Sequence, residues 1–330
     1  MEELEFDVNQ RMEWLNTQCE IYENGKNIYN VLAQNTKSNP GLELIVSPAN
    51  LGDTVFIATL ASAYKKVHGV KTLLILAKER QAEAVKWIEG VDDAVGFSDD
   101  EMNSLRIYFT ISRNYYSNGI RYGHVPCYLD SAFPNTFIHI PPGFSGMSLM
   151  SVWEQRILDL PKNSQKGKLI IPDGVKSSED PEKLKNAILI APAAFTNKGI
   201  PKVFWERLTA FLKEKGFDVY CNSGGLYYDE IVDGSIPFVC STTELILNSP
   251  LFKHVISVRS GFTDLVSKTN ASLTVLHLHN VHGGALRFEY GSISDDVRDL
   301  GRLEDIYPVA YNAGREDELI QLIYENITQG

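Results

Sequence analysis

Asp53 stands in the stretch Leu51-Gly52-Asp53-Thr54-Val55-Phe56, directly behind the apolar run Leu42-Glu43-Leu44-Ile45-Val46. Gly52 lets backbone approach a ligand closely, and the first turn of a following helix offers unpaired N–H groups and the positive end of its dipole. The carboxylate placed there is Asp53, which is equally suited to cap the helix. Lys198, in the loop 192–200 with Thr196, precedes a helix start, where an ammonium can meet pyrophosphate oxygens. The other reading of Lys198 is a solvated loop lysine. Arg259, Ser260 and Gly261 form a second anion-compatible turn, in which the guanidinium either clamps a diphosphate bidentately or forms a surface ion pair. Ser223, Gly224 and Gly225 make a third, weaker turn of this kind.

Other reactive residues carry less. His277 and His279 alternate on one strand face, and His282 follows, but no carboxylate or cysteine joins them at a ligand spacing, so no metal site is expected. Tyr115 and Tyr116 are candidates for a stacking platform, and Arg121, His124 and His139 lie in the same aromatic stretch. The four cysteines, Cys19, Cys127, Cys221 and Cys240, form no C-x-x-C pair and suit a reducing compartment.

These residues need elements to hold them. The 42–66 stretch reads as buried strand, tight loop and buried helix. Strands follow at 72–76 and 94–97, with a helix at 79–89 between them, and 105–110 reads as a further strand. One or two helices are expected before residue 38. The stretch 112–146, rich in aromatics, Gly and Pro, reads as an irregular loop walling a cleft. Residues 153–158 return to helix, and the polar run 161–185 marks a boundary. Beyond it the pattern restarts with a strand at 187–191, a helix at 201–215, and strands at 217–221 and 237–240. Ser241 to Glu244 has capping-box spacing for the next helix, and strands at 255–258 and 273–278 and a helix at 316–328 complete the series. Alternation of this kind means parallel sheets with ligands at the carboxyl ends of the strands.

A chain of 330 residues accommodates two such units. Its net charge of −11 argues against nucleic acid as a partner. The acidic start and the lack of an 18-residue apolar run predict a cytoplasmic protein, compatible with peripheral contact at the inner face of a membrane.

Three segments resemble the heptosyltransferase-like glycosyltransferases (glycosyltransferase family 9 type): Leu51-Gly-Asp-Thr-Val-Phe56, Ala191-Pro-Ala-Ala-Phe-Thr-Asn-Lys-Gly-Ile-Pro-Lys-Val-Phe-Trp205 and Ser257-Val-Arg-Ser-Gly-Phe-Thr-Asp264. The resemblance spans most of 42–280. It implies an α/β protein of the GT-B architecture, with two Rossmann-like domains whose parallel sheets face each other across a cleft, plus an N-terminal helical extension over 1–38. Residues 1–165 would bind acceptor and 166–330 donor, with the last helix packing back toward the first domain.

The implied activity is inverting, metal-independent transfer of a sugar from a nucleotide-diphosphate sugar to a glycan or lipid-linked acceptor, without a cofactor. The resemblance makes Asp53 the base. It assigns Gly52, Thr196, Lys198, Ser223, Gly224, Arg259, Ser260, Gly261 and Asp264 to the donor, and Tyr115, Tyr116, Arg121 and His124 are the acceptor candidates. Two positions depart from the family: Arg259 stands where an acidic residue is usual, and Asp264 where a His is usual. A sugar-nucleotide epimerase of the same architecture and a non-catalytic homologue are the competing readings.

Overall fold

The computed structural model describes residues 2–124, 147–193, 200–222, 231–278, 285–288, 291–294 and 296–329. The chain opens with one continuous helix, α1 (Glu2–Ser38), where one or two were expected. Strand β1 (Leu42–Val46) leads into α2 (Leu51–Thr59) and α3 (Ala61–His68), followed by β2 (Thr72–Lys78), α4 (Glu79–Val85) and β3 (Asp93–Phe97). Helix α5 (Asp99–Ser112) covers the residues expected to form a strand at 105–110. Ser98 explains the difference. Its side chain and that of Glu101 form a capping box, and Met102, Leu105 and Phe109 then bury one helical face beneath α1.

The stretch expected to be irregular contains a hairpin, β4 (Tyr116–Ser117) and β5 (Ile120–Tyr122), turned by Asn118 and Gly119 at φ 51° and 69°. Asn-Gly is the pair that such a turn selects, because both residues tolerate positive φ. Residues 125–146 lie outside the described residues. The first sheet has the order β3-β2-β1-β5-β4, parallel except for β4.

Helix α6 (Leu149–Val152) runs into a π-helical turn at Trp153–Ile157. After α7 (Pro181–Leu184), the second sheet begins with β6 (Ala187–Ala191), α8 (Lys202–Glu214), β7 (Asp218–Asn222) and β8 (Ile236–Phe238). It continues through α9 (Thr242–Asn248), β9 (His254–Val258), α10 (Gly261–Val266) and β10 (Leu273–Leu278). A small hairpin, β11 (Ala285–Phe288) with β12 (Gly291–Ser294), precedes β13 (Ile306–Tyr311) and α11 (Glu316–Gln329). The order β13-β10-β9-β6-β7-β8 is parallel throughout. The apolar face of the last helix packs on elements of the second half. Its inner residues Leu319, Ile320, Ile323 and Ile327 pack with Phe204 and Leu208 of α8 and Tyr311 of β13.

Strand order reverses beside β1 in the first sheet and between β6 and β9 in the second, and such reversals open crevices at the carboxyl ends of strands. One apolar cluster spans both halves, joining Val55, Phe56 and Ile75 to Leu189, Val255, Leu265 and Val266.

Candidate active site

The loop after β1 is held from below. Ser47, fully buried, hydrogen-bonds Thr54 across 2.8 Å, and its N–H donates to the Leu76 carbonyl. Gln81 of α4 donates to the Ala49 carbonyl at 3.1 Å and accepts from Thr54 at 3.3 Å. This fixes Asn50, the N-cap of α2, whose N–H donates to Asp53 Oδ2 at 3.0 Å. Asp53 therefore does cap its helix. That contact holds the carboxylate at the carboxyl end of β1, beside the positive end of the helix dipole. Sequence reasoning missed Gln81, which no local motif announces because its partners lie 27 and 32 residues away.

The second half meets the first at two glycines. A Cβ on Gly52 would stand 2.5 Å from Asp264 Oδ2 and 3.4 Å from the Gly261 Cα, and a Cβ on Gly261 would stand 2.7 Å from the Gly52 nitrogen. The amino ends of α2 and α10 are thus in backbone contact, which only glycine allows at this separation. The two carboxyl crevices open at one place.

Arg259 lies beside this contact, and its pairing corrects the surface-ion-pair alternative. It is 8% exposed, and its Nη1 donates to Asp264 Oδ2 at 3.0 Å and to the Ser260 carbonyl at 3.0 Å. Asp264 is 2% exposed, with Oδ1 2.9 Å from the same nitrogen. The two departures from the family pattern are therefore partners: a cation on the strand end is balanced by an anion one helical turn on. Ser260 caps α10, its N–H donating to Thr263 Oγ1 at 2.7 Å.

Of the acceptor candidates, His124 lies in the crevice. It follows the carboxyl end of β5, where Gly123 donates to the Val46 carbonyl at 2.8 Å. Its ring meets Trp153 edge-on at 6.0 Å, and Trp153 stacks on Phe56 of α2. Tyr115 lies beside it against Tyr122, ring centroids 5.9 Å apart.

Tyr116 and Arg121 are held in a network of their own. Arg121 is buried, donating to the Tyr64 hydroxyl, the Ile157 carbonyl and Asp159, with Tyr116 over its guanidinium at 4.4 Å. Tyr64 and Tyr116 both donate to Glu43, near the amino end of β1 and away from the crevice. A hairpin turning at Asn118 and Gly119 carries these side chains back along the sheet, which an extended loop would not. Thr196, Lys198, Ser223, Gly224, Gly225, His139, His279 and His282 lie outside the described residues. Among the described residues no cluster of His, Cys, Asp and Glu has the makings of a metal site.

Comparison with solved structures matches this arrangement over most of its extent. The heptosyltransferase WaaC of E. coli, solved with ADP, is 13% identical at a TM-score of 0.53, the match covering 86% of this chain and 99% of that one. The fold is that of the heptosyltransferase-like glycosyltransferases. A family 9 glycosyl transferase from Veillonella parvula is 9% identical, TM-score 0.54, with 88% and 97% covered. The E. coli ADP-heptose LPS heptosyltransferase II is 12% identical, TM-score 0.54, with 87% and 98% covered. No protein-family model matches the chain, and no curated protein matches it by sequence. In this heptosyltransferase-like fold the GT-B halves are the two sheets described above, and α1 is the helical extension.

Proposed function

We propose that the chain is a glycosyltransferase moving a sugar from a nucleotide-diphosphate sugar to a glycan or lipid-linked acceptor, with inversion and without a metal. The observation that supports this reading is the contact of Gly52, next to Asp53, with Gly261 and Asp264 of the turn that holds Arg259, in a fold shared with heptosyltransferases. Asp53 removes the proton of the acceptor hydroxyl as its oxygen attacks the anomeric carbon from the face opposite the diphosphate. The C–O bond to the diphosphate breaks, and the departing charge is met by cations and N–H groups of the second half. Lys198, Thr196 and Ser260 are assigned to that task, as are Ser223 and Gly224. Arg259, already balanced by Asp264, shapes the pocket and adds a partial rather than a full positive charge.

Acceptor binding belongs to the side of His124 and Tyr115. The protein acts in the cytoplasm, where nucleotide sugars are available, and no helix among the described residues is long and apolar enough to cross a membrane. ADP-linked heptose is the first donor to try, since the similar structures are named for ADP-heptose or were solved with ADP.

A thermal-shift panel over UDP-, GDP-, ADP- and CMP-linked sugars should give one donor that raises Tm. With that donor, Asp53→Asn should lower kcat by about 10²–10⁴-fold while leaving donor affinity within about twofold. Full turnover in Asp53→Asn removes this residue from the mechanism. An epimer formed without acceptor points to the epimerase reading, and absence of any shift points to the non-catalytic one.

A further inference from the structure

The loop that carries Asp53 has little structure of its own. From Ser47 to Asn50 the chain is neither strand nor helix, and Pro48 supplies no N–H to hold it. Three buried polar side chains hold it instead: Ser47 and Thr54 are fully buried, and Gln81 of α4 is 4% exposed. Burying such groups costs free energy that their hydrogen bonds have to offset, and an apolar side chain at 81 would fill the space without that cost.

The bonds run in one direction. The Ala49 carbonyl only accepts, so it takes the amide nitrogen of Gln81, at 3.1 Å, and the amide oxygen is left to Thr54, at 3.3 Å. Thr54 therefore donates to Gln81 and to the Asn50 carbonyl, both 3.3 Å away, and Ser47 donates to Thr54 at 2.8 Å. Position 81 needs a neutral side chain that donates at one atom and accepts at another; an ionised Glu only accepts, and Asn is one methylene short. One residue past Ala49, the Asn50 N–H holds Asp53 Oδ2. Next to Gln81, the Arg80 carbonyl accepts from Thr242 of α9 at 2.8 Å. The turn bearing the amide is thus anchored to the second half, and Gln81 links that anchor to the loop.

We propose that Gln81 is the positioning residue of Asp53: it touches no substrate and fixes the carboxylate relative to the second half, to which the donor is assigned. This rests on the transferase reading given above. The contribution is one of geometry, since a reacting group displaced by about 1 Å can lose about 10²-fold in rate.

The test uses the full chain, well below its Tm, and measures release of nucleoside diphosphate from UDP-, GDP- and ADP-linked sugars with water as acceptor. Gln81→Met keeps the length of the side chain and removes both its bonds, and Thr54→Val keeps the shape and removes the hydroxyl. Each should lower kcat by about 10–100-fold and leave the donor KM within about twofold. Combined with Asp53→Asn, neither should lower kcat further by more than about threefold, because no base is left to misplace; a merely loosened fold would lower it again by the same factor. Amide exchange at Asn50 to Asp53 should also be faster in both variants. Thr54→Val carries the comparison alone if Gln81→Met does not fold. A kcat near that of wild type, a loss that falls on KM, a loss that multiplies with that of Asp53→Asn, or unchanged exchange overturns the proposal and leaves the transferase reading standing. No release by wild type from any of these sugars overturns both.

Discussion

At the scale of single residues, the site is defined by what is too small to be seen in most contacts. Gly52 and Gly261 let two helix ends touch, so adding one methyl at either has a definite consequence. Gly52→Ala places a carbon against Asp264, and Gly261→Ala places one against backbone, the harder obstacle to move. Gly261→Ala should therefore destabilise more, by about 1–3 kcal/mol in chemical denaturation. The Arg259–Asp264 pair offers a second measurement. Asp264→Leu leaves a buried guanidinium without its carboxylate and should cost about 3 kcal/mol or more, and adding Arg259→Met should recover much of it, a coupling that a double-mutant cycle reads directly. The residues themselves stood out in the sequence. Their mutual pairing did not, because Arg259 and Asp264 are five apart, an unremarkable spacing until the strand-to-helix turn folds one over the other.

At the scale of elements, parallel strands and their crossover helices were legible because apolar runs bounded by Gly, Pro and capping residues report local structure faithfully, as at β6, α8 and α9. Where reading failed, a tertiary partner decided. The α5 segment looks strand-like from 105 to 110, yet the buried face it shows to α1 needs helical spacing, and Gly25 is the notch that admits it. Gly25→Ala would drive a carbon into the Ser104 carbonyl. Although alanine is the better helix former, this variant should lower Tm and speed amide exchange along α1 and α5.

Strand β9 carries a titrating group. His254 is fully buried between Ser272 and Thr274, hydrogen-bonded to both, and burial lowers its pKa to about 3. The unfolded chain binds the proton near pH 6.5, so it holds more protons than the folded state between about 6.5 and 3. Stability should accordingly fall as pH drops through that window. Comparing wild type with His254→Gln by urea titration at pH 7 and 4 checks this, the variant showing the shallower loss.

At the scale of the whole molecule, the halves are joined by more than a linker. The Gly167 N–H donates to the Thr59 carbonyl at the end of α2, while its own carbonyl accepts from Lys268 Nζ at 2.7 Å. Lys268, just past α10, also donates to the Leu300 carbonyl at 2.8 Å. Helices α2 and α10, in contact at their amino ends, are thus tied at their far ends through one residue, Gly167. Burial, with Lys166 nearby, lowers the Lys268 pKa to about 8. The unfolded chain is then the more protonated between about 8 and 10.5, and stability should rise with pH across that range, a rise that Lys268→Met removes.

The apolar cluster running from Val55 and Ile75 through to Val255 and Leu265 has a further consequence. A gene cut within the polar run 161–185 would yield two fragments, each presenting a raw hydrophobic wall. Expressed singly they should precipitate, and produced together in one cell they should reassemble into a soluble heterodimer.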